Sequence, residues 1–223
     1  AEIFSHLTDE LYESKIVYRT AKYGDKVRTF CMNPKGAVVS ENTNGIVTVN
    51  GHSYEDPAKQ TKNTNFALLV SKHFSEPFRD SNGYGESIAR LSNMLGGGVL
   101  VQRFGDILDG KRTWPEELAQ SNVRPSLVDA EAGDITAAMP YRAMTNIIHF
   151  MQAMDEVVPG FAGAETLLYS PELKFYSNRI KMDEKLNTNI EGLHCLGDSS
   201  GWTRGLMMAS VMGVLMGRKF VEK

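Results

Sequence analysis

The sequence is poor in the features that mark secreted, metal-rich and strongly charged proteins. Its 223 residues include two cysteines and eight prolines, and its formal net charge at pH 7 is −3. Two cysteines provide neither a disulfide framework nor a metal site, so we expect a reducing compartment and no bound metal. A net charge this small gives no general electrostatic case for nucleic-acid binding. Since no basic segment followed by an apolar one opens the chain, we expect no secretory signal and a cytoplasmic protein.

A hydrophobic run long enough to span a membrane is also lacking. The segment Leu206–Met216 reads LMMASVMGVLM and carries no charge, but Arg204 and Arg218 close it on both sides. A membrane-spanning helix needs about 20 apolar residues. This segment therefore predicts a buried helix of a soluble protein.

The first part of the chain predicts an antiparallel meander of short strands. Val27–Met32 has the β-branched and aromatic content of a strand, and Asn33–Gly36 has the residues of a type I turn. Tight turns are predicted within Glu41–Gly45 and at Asn50-Gly51. Three further apolar runs are strand candidates: Ala37–Ser40, Ile46–Val49 and Phe66–Val70.

The rest of the chain predicts helices separated by loops and a few strands. The predicted helices are Glu86–Leu95, a long helix from Pro140 or Tyr141 to Val158, and a last helix from Trp202 to Lys219. A core stripe is predicted on the long helix: Met144, Ile147, Ile148, Met151 and Met154. The strand candidates are Val99–Val101, Thr166–Tyr169, Leu173–Ser177 and Ile190–Leu196. Ser75–Gly85 is predicted as a polar loop, and Arg103–Pro125 as a loop with one helical turn at Pro115–Leu118. Because strands and helices come in separate runs, the fold class is predicted to be α+β.

The segment from residue 190 to 220 carries most of the functional signal, because it predicts a strand, a glycine-rich turn and a helix. Small residues recur every four positions: Gly201, Gly205, Ala209, Gly213 and Gly217. On a helix they form one ridge against which a neighbouring backbone can approach closely.

One hypothesis for this turn is a nucleophile elbow. Gly197–Gly201 satisfies G-x-S-x-G between a strand and a helix, and makes Ser199 the nucleophile. The α/β-hydrolase fold places its acid and its histidine after that serine, whereas the residues after Ser199 contain neither His nor Asp. A truncated serine hydrolase is therefore ranked below the two other hypotheses given next, a flavoprotein and a non-catalytic binding domain.

A second hypothesis rests on Asp198. A carboxylate at the end of a strand and beside a helix N-terminus can accept hydrogen bonds from ligand hydroxyls, and helix N-termini favour negative charge nearby. A flavin fits this arrangement: Asp198 holds a ribityl hydroxyl, while the amides around Gly205–Met207 face the N1/C2=O edge of the ring. The structural alternative is that Asp198 only caps the last helix.

Sequence motifs add a resemblance to known flavoproteins. The run CLGDSSGWTRGLMMASVMGVLMGR resembles the C-terminal flavin motif of FAD-dependent oxidoreductases related to glutathione reductase. More closely, GDSSGWTRGL is similar to the GDGAGxTRGL pattern of a family of uncharacterised bacterial FAD-dependent dehydrogenases. Four other stretches match that family in order: RTFCMNPKGAVV (28–39), GIVTVNGHSY (45–54), NFALLVS (65–71) and ELKFYSNR (172–179).

The resemblance implies a cofactor site and a domain arrangement. It assigns FAD contacts to Gly197, Asp198, Thr203, Gly205, Leu206 and Met207, and places Met32, Asn33 and Pro34 on the substrate side. Such enzymes begin with a G-x-G-x-x-G unit that holds the FAD pyrophosphate, and no such unit follows a strand here. We therefore expect a fragment: residues 1–185 form the substrate-side domain and 186–223 the returning, Rossmann-like end of the FAD domain. Its expected partners are the missing N-terminal FAD-binding half and a small-molecule substrate.

The complete protein is thus expected to be an FAD-dependent dehydrogenase, with NAD(P) as a candidate electron donor, and the isolated fragment to be inactive. Cys31 is the redox candidate, since a thiolate beside a flavin can relay electrons; the alternative is an inward-facing strand residue. His52 could protonate a substrate or be merely solvated. Arg204 could bind a substrate carboxylate or stabilise reduced flavin, or simply pair with an acid. The rival from another class is a non-catalytic ligand-binding or interaction domain.

Overall fold

A computed structural model describes residues 15–175 and 179–221 of the chain. The chain divides into two compact units between Leu173 and Lys174. The first unit holds eight strands and four α-helices among its described residues, and the second holds one α-helix. The predicted domain boundary at residue 185 and its assignment to flavoprotein domains stay predictions.

The strands of the first unit form three small sheets. Their bounds are β1 Val17–Arg19, β2 Lys26–Asn33, β3 Ala37–Thr43, β4 Ile46–His52, β5 Asn65–Val70, β6 Leu100–Arg103, β7 Glu131–Ala132 and β8 Leu167–Ser170. One sheet has the order β1-β2-β5, a second is the β3-β4 hairpin, and the third has the order β7-β6-β8. All pairings are antiparallel except β6 with β7. The mixture of antiparallel sheets and helices agrees with the α+β prediction, although β5 rather than β3 pairs with β2.

The β3-β4 hairpin turns at Asn44-Gly45, where both residues have positive φ, +53° and +78°. Two central residues of this kind are typical of a type I′ turn, which matches the twist of the flanking strands. The turn predicted at Asn50-Gly51 is wrong. Both residues lie inside β4 and pair with β3, Asn50 opposite Val39 and Gly51 opposite Val38, because the hairpin has already turned at the first Asn-Gly pair.

The turn predicted after β2 is present but has a different type. The amide of Gly36 donates to the carbonyl of Asn33 at 3.2 Å. Lys35, the third residue, has φ +52°, whereas a type I turn needs a negative φ there and a type II turn a positive one. Gly36 is required by close approach, since a Cβ there would lie 2.6 Å from the carbonyl oxygen of His52.

Helix α4 provides one side of the main core. The helices of the first unit are α1 Ser81–Gly96, α2 Phe104–Leu108, α3 Pro115–Gln120 and α4 Tyr141–Asp155. The predicted stripe on α4 is confirmed: Met144, Ile147, Met151 and Met154 are buried and Ile148 packs against them. The same core contains Phe150, Phe104 and Val27, all with no exposed surface.

Two loop predictions in the first unit are wrong in part. Helix α1 begins at Ser81 rather than Glu86, because the Asp80 carboxylate accepts a hydrogen bond from the amide of Gly83 at 2.8 Å and caps the earlier start. Residues 103–125 contain α2 and α3 rather than one helical turn. Of the strand predicted at Leu173–Ser177, Leu173 to Phe175 are not in a strand, and residues 176 and 177 lie outside the described residues.

The second unit contains helix α5, Leu206–Val221. The predicted strand Ile190–Leu196 is wrong: residues 189–192 form turns, and no strand occurs between residues 179 and 221. A strand needs a neighbouring strand to satisfy its backbone groups, and this unit offers none in its described part. The polypeptide instead turns locally, with the amide of Leu193 donating to the carbonyl of Ile190 at 3.1 Å.

The helix predicted at Leu206–Met216 is confirmed, but its predicted burial is wrong. Only Met212 and Met216 of α5 are buried. The exposed apolar side chains of α5 are Leu206, Met207, Met208, Val211, Val214, Leu215, Phe220 and Val221. The ridge of small residues is shorter than predicted, since α5 starts after Gly205, and a Cβ at Gly213 or Gly217 would meet no atom within 4 Å. In the part of the chain the structure describes, no helix is long and apolar enough to cross a membrane.

Candidate functional site

The residues predicted to bind a flavin come together where α5 begins. Asp198 opens a short 3-10 turn, and its carboxylate lies over the backbone that leads into the helix. The Thr203 hydroxyl donates to Asp198 Oδ1 at 2.6 Å, and the amide of Gly205 donates to Oδ2 at 3.0 Å. The hydrogen bond from Thr203, with that from Gly205, lowers the pKa of Asp198 below its ordinary value. Asp198 is therefore an anion beside the positive end of the helix dipole.

The backbone of this turn depends on glycine. Gly197 has φ +70° and ψ −158°, a conformation that is nearly exclusive to glycine. Gly205 has φ +102°, and a Cβ there would meet nothing within 4 Å. The first amides of α5 have no acceptor within the helix, and the side chains of Leu206 and Met207 are exposed. The start of α5 is thus an open patch of amide donors beside one carboxylate.

Asp198 retains capacity for a ligand. A carboxylate offers about four lone-pair sites, and two donors, Thr203 and Gly205, occupy part of them. The Asp198 side chain is exposed. These residues fit a polyhydroxylated group whose hydroxyls donate to Asp198 and whose acceptor edge faces the first amides of α5. The same hydrogen bonds also stabilise the entry to the helix, so the capping role and a binding role are compatible.

Arg204 and Ser199 flank this patch. Arg204 is exposed, and its Nη1 donates to the carbonyl oxygens of Gly201 at 3.1 Å and Thr203 at 2.8 Å. The Ser199 Oγ donates to the carbonyl oxygen of Leu196 at 3.0 Å. A serine nucleophile needs a base such as histidine to take its proton, whereas here that proton is directed to a backbone carbonyl.

A β-bulge positions the predicted substrate-side residues in the first unit. The register of β2 with β5 shifts between Phe30 and Asn33, and Cys31 in that bulge has φ +48°. Cys31 is exposed, so the alternative of an inward-facing strand residue is wrong. Bulges re-aim side chains and are frequent near functional sites.

The bulge also brings Asn33 opposite Asn65 of β5. The Asn33 Nδ2 donates to the carbonyl of Cys31 at 2.8 Å and to Asn65 Oδ1 at 3.0 Å. Met32 is half-buried and Pro34 is exposed. His52 ends β4 opposite Ala37, and its exposed ring meets Tyr54 edge-on with centroids 4.8 Å apart. Cys31 and Asn33 thus directly precede the turn that ends at Gly36, and the backbone of His52 lies against that glycine.

A further region escaped the sequence analysis: a cavity of about 300 Å³ inside the first unit. Residues from β3, β4, β5, β8 and α4 line it, among them Asn50 and Asn65, together with loop residues such as Asn63. These residues are far apart in sequence, so no spacing motif marks them. The one available signal was the polar run Thr61–Asn65 directly before an apolar strand. Within residues 15–175 and 179–221, no group of three or more His, Cys, Asp or Glu residues could hold a metal ion.

Comparison with known proteins identifies the family. Residues 7–174 match the family described as FAD-dependent protein, C-terminal domain-like. The chain belongs to this family, which confirms the predicted relation to FAD-dependent proteins. An uncharacterized protein of Clostridium beijerinckii is 25% identical over 221 residues, covering 94% of this chain and 40% of its own length. The chain therefore spans less than half the length of this relative.

Proposed function

We propose that this chain is the substrate-side domain and the returning C-terminal segment of an FAD-dependent oxidoreductase. Membership of the FAD-dependent C-terminal domain family supports a flavoprotein. The observation that carries the proposal at atomic level is the exposed Asp198 carboxylate, held by Thr203 and Gly205 at the start of α5. When bound, FAD would supply reversible uptake of a hydride or of electrons.

Each residue at the start of α5 then has a definite task. Asp198 would accept a hydrogen bond from a hydroxyl of the bound FAD, and Thr203 holds the carboxylate in place. Gly197 and Gly205 would allow the backbone to come close to the cofactor, and the amides of Leu206 and Met207 would stabilise negative charge that develops on it. Arg204 would add a positive charge near the same helix start.

The exposed apolar side chains of α5 support the proposal that this chain is part of a larger protein. Eight large apolar side chains on one helix form an uncovered surface of the kind that marks an interaction site. We propose that the rest of the complete protein, its FAD-binding half, covers this face. The length of the C. beijerinckii relative agrees, since this chain accounts for 40% of it. In the complete form of the present protein, Cys31, His52 and the turn at Met32, Asn33 and Pro34 would face the substrate. NAD(P) is a candidate electron donor.

The first test is the visible absorption spectrum of the protein expressed from its complete coding sequence. We expect the paired blue and near-ultraviolet bands of an oxidised flavin, and release of FAD on denaturation. A folded, colourless protein that takes up no added FAD would reject the proposal, and the non-catalytic ligand-binding domain would then lead. The cavity in the first unit is the observation that favours that second candidate.

A pair of neighbouring variants tests the role of Asp198 in the complete protein. Asp198→Ala should weaken the binding of FAD at least about tenfold and so lower the flavin content of the purified protein, since a hydrogen bond to a charged group contributes about 1.5–3 kcal/mol. Ser199→Ala is the matched control, because that hydroxyl contacts the Leu196 carbonyl, and it should retain its flavin. The thermal unfolding of both variants separates loss of a ligand contact from loss of the helix cap. Full flavin content in Asp198→Ala would mean that Asp198 is only a cap.

A further inference from the structure

The cavity in the first unit has the size and walls of a small-molecule site. Its apolar walls include Val49, Leu68, Met144, Ile147, Met151 and Phe161, and most of these side chains are buried in the fold. An apolar cavity of about 150 Å³ admits benzene. A cavity of about 300 Å³ therefore has room for about a dozen non-hydrogen atoms and lies at the lower end of ligand-pocket sizes.

Three asparagines line the cavity, and they differ in whether the side-chain Nδ2 has a hydrogen-bond acceptor. The Nδ2 of Asn50 donates to Glu41 Oε1, and the Nδ2 of Asn63 donates to the carbonyl of Arg124, both at 2.8 Å. The Nδ2 of Asn65 is buried and has no hydrogen-bond partner among the described residues. A buried amide donor without an acceptor costs about 1–3 kcal/mol. Asn65 is one of the residues that line the cavity, so a ligand acceptor that this NH₂ group reaches after a small side-chain rotation would remove that cost.

The hydrogen bonds around Asn65 fix which end of its amide remains available. The Asn33 amide donates from its Nδ2 to the carbonyl of Cys31, and a carbonyl accepts only from the nitrogen end. The same nitrogen faces Asn65 at 3.0 Å, so the atom of Asn65 that meets it must be the oxygen. The NH₂ group of Asn65 is then the unused end, and a ligand there must offer an acceptor.

The charges around the cavity select against anions. Among the described residues that line it, Glu172 is the carboxylate, and neither lysine nor arginine contributes to the wall. Burial raises the pKa of Tyr169, another wall residue, so its phenol stays neutral. A ligand carboxylate would leave water for a site that offers a negative charge and no positive one, which is unfavourable.

From these observations we propose that the cavity binds a neutral, mainly apolar molecule of about a dozen non-hydrogen atoms, whose carbonyl oxygen accepts a hydrogen bond from Asn65 Nδ2. Met139, Met144 and Met151 in the wall are flexible and adapt to shape, so a class of carbonyl compounds is expected rather than one outline. The proposal concerns binding and does not rest on the flavin. Where both proposals hold, the Asn33–Asn65 contact links this ligand to the substrate-side turn.

Three probes of equal non-hydrogen atom count test the proposal on the 223-residue chain: 4-phenylbutan-2-one, isopentylbenzene and 3-phenylpropanoate. Dissociation constants are measured by ligand-detected NMR, and the side-chain NH₂ signals are followed in a nitrogen-15 spectrum. We expect the ketone to bind at least about tenfold more tightly than the carboxylate. We also expect the ketone, and not the hydrocarbon, to shift the NH₂ signals of Asn65. Equal binding of ketone and carboxylate, or no binding by any probe to the folded chain, would overturn the proposal.

Two leucine variants isolate the hydrogen bond. Asn65→Leu should weaken the ketone relative to the hydrocarbon by about tenfold, because it removes the donor and adds apolar surface. Asn50→Leu is the control, since its amide already donates to Glu41, and it should leave that ratio unchanged. An unchanged ratio in folded Asn65→Leu would reject the assigned donor. Should this variant not fold, the probe comparison and the Asn65 signals in the unmodified chain decide the question.

Discussion

Helices α4 and α5 are nearly equal in length and opposite in their surroundings. Seven of the 15 residues of α4 are buried, compared with two of the 16 residues of α5. On α4 the apolar side chains follow helical spacing, with polar residues such as Arg142 on the other face. On α5 apolar side chains occur all around the helix. A helix of that kind is typically covered on all sides. The burial of α4 therefore indicates that the first unit completes its own core, and the exposure of α5 indicates that the second unit does not.

The polar groups of the two units differ in the same way. In the first unit, Asp106 is buried and its carboxylate is bound by Arg103 and Thr113. In the second unit, Asp198 is exposed and bound only along one side, by the residues that lead into α5. A buried and satisfied carboxylate contributes to the fold, whereas an exposed one at a helix start is available to a ligand.

The largest expected effect on stability comes from a substitution on α4, and a substitution on α5 is its comparison. Phe150→Ala should lower the free energy of unfolding of the first unit by about 3–5 kcal/mol, because it leaves a cavity between Tyr18 and Phe161 in the core. Leu215→Ala on α5 should change stability by less than about 0.5 kcal/mol, since that side chain is exposed. Urea titrations followed by circular dichroism measure both. Similar losses in the two variants would break the comparison.

A buried ion-pair network gives the next largest effect. Arg103 donates to Asp106 from both Nε and Nη2, at 2.8 and 2.9 Å, and the Thr113 hydroxyl donates at 2.6 Å. Burial raises the pKa of Asp106, but the hydrogen bonds from Arg103 and Thr113 outweigh it, and the net pKa is lowered. Asp106→Asn should therefore cost about 2–3 kcal/mol of stability, because it removes the anion that Nε and Nη2 of the mostly buried Arg103 contact and leaves this guanidinium with Glu117 as its ion-pair partner, at 3.3 Å.

The neighbouring carboxylate Asp109 is the matched control for this variant. Its side chain is 65% exposed and lies 3.6 Å from the Lys111 ammonium. Asp109→Asn should change the free energy of unfolding, measured by urea titration, by less than about 0.5 kcal/mol. A small effect of Asp106→Asn, close to that of Asp109→Asn, would show that the network does not hold the first unit together.

Features of the fold that depend on residues close together in the sequence could be predicted, and features that depend on distant residues could not. The periodicity of Met144 to Met154 predicted α4 and its buried face correctly, because amphipathic spacing is local and the covering residues lie in the same unit. The strand at Ile190–Leu196 was wrong, because a strand forms only beside another strand. The apolar residues of this segment have the pattern of a strand, but the described part of the second unit offers no neighbouring strand with which it could pair.

The candidate sites show the same limit. The glycine-rich turn around Asp198 could be predicted, since its residues are adjacent in sequence and act through the start of one helix. The bulge at Cys31 and the pairing of Asn33 with Asn65 could not, because a register shift depends on how two strands meet. The cavity was missed for the same reason, as several elements distant in the chain form its walls.

The smallest expected effect concerns pH and the ion pair between Asp25 and α4. Arg142 donates to both carboxylate oxygens of Asp25 at 2.6 Å, and Asn146 Nδ2 donates at 2.7 Å. The hydrogen bond from Arg142, with a smaller one from Asn146, lowers the pKa of Asp25 from 3.8 to about 2. A folded-state pKa below the unfolded value stabilises the protein above the unfolded pKa, and this stabilisation is lost as the pH falls towards about 2.

Solvent limits the contribution of this ion pair to stability. The Arg142 side chain is 53% exposed, so water and salt screen the pair and its effect is smaller than that of Asp106→Asn. Arg142→Met should lower stability slightly at neutral pH and by progressively less under acid, so that its urea midpoint converges on that of the unmodified chain below about pH 3. The control is Arg90→Met, whose exposed partner Glu86 lies 3.9 Å away; it should follow the unmodified chain throughout. A constant difference between Arg142→Met and the unmodified chain down to about pH 2 would mean that Arg142 acts by packing on the first unit rather than by its charge.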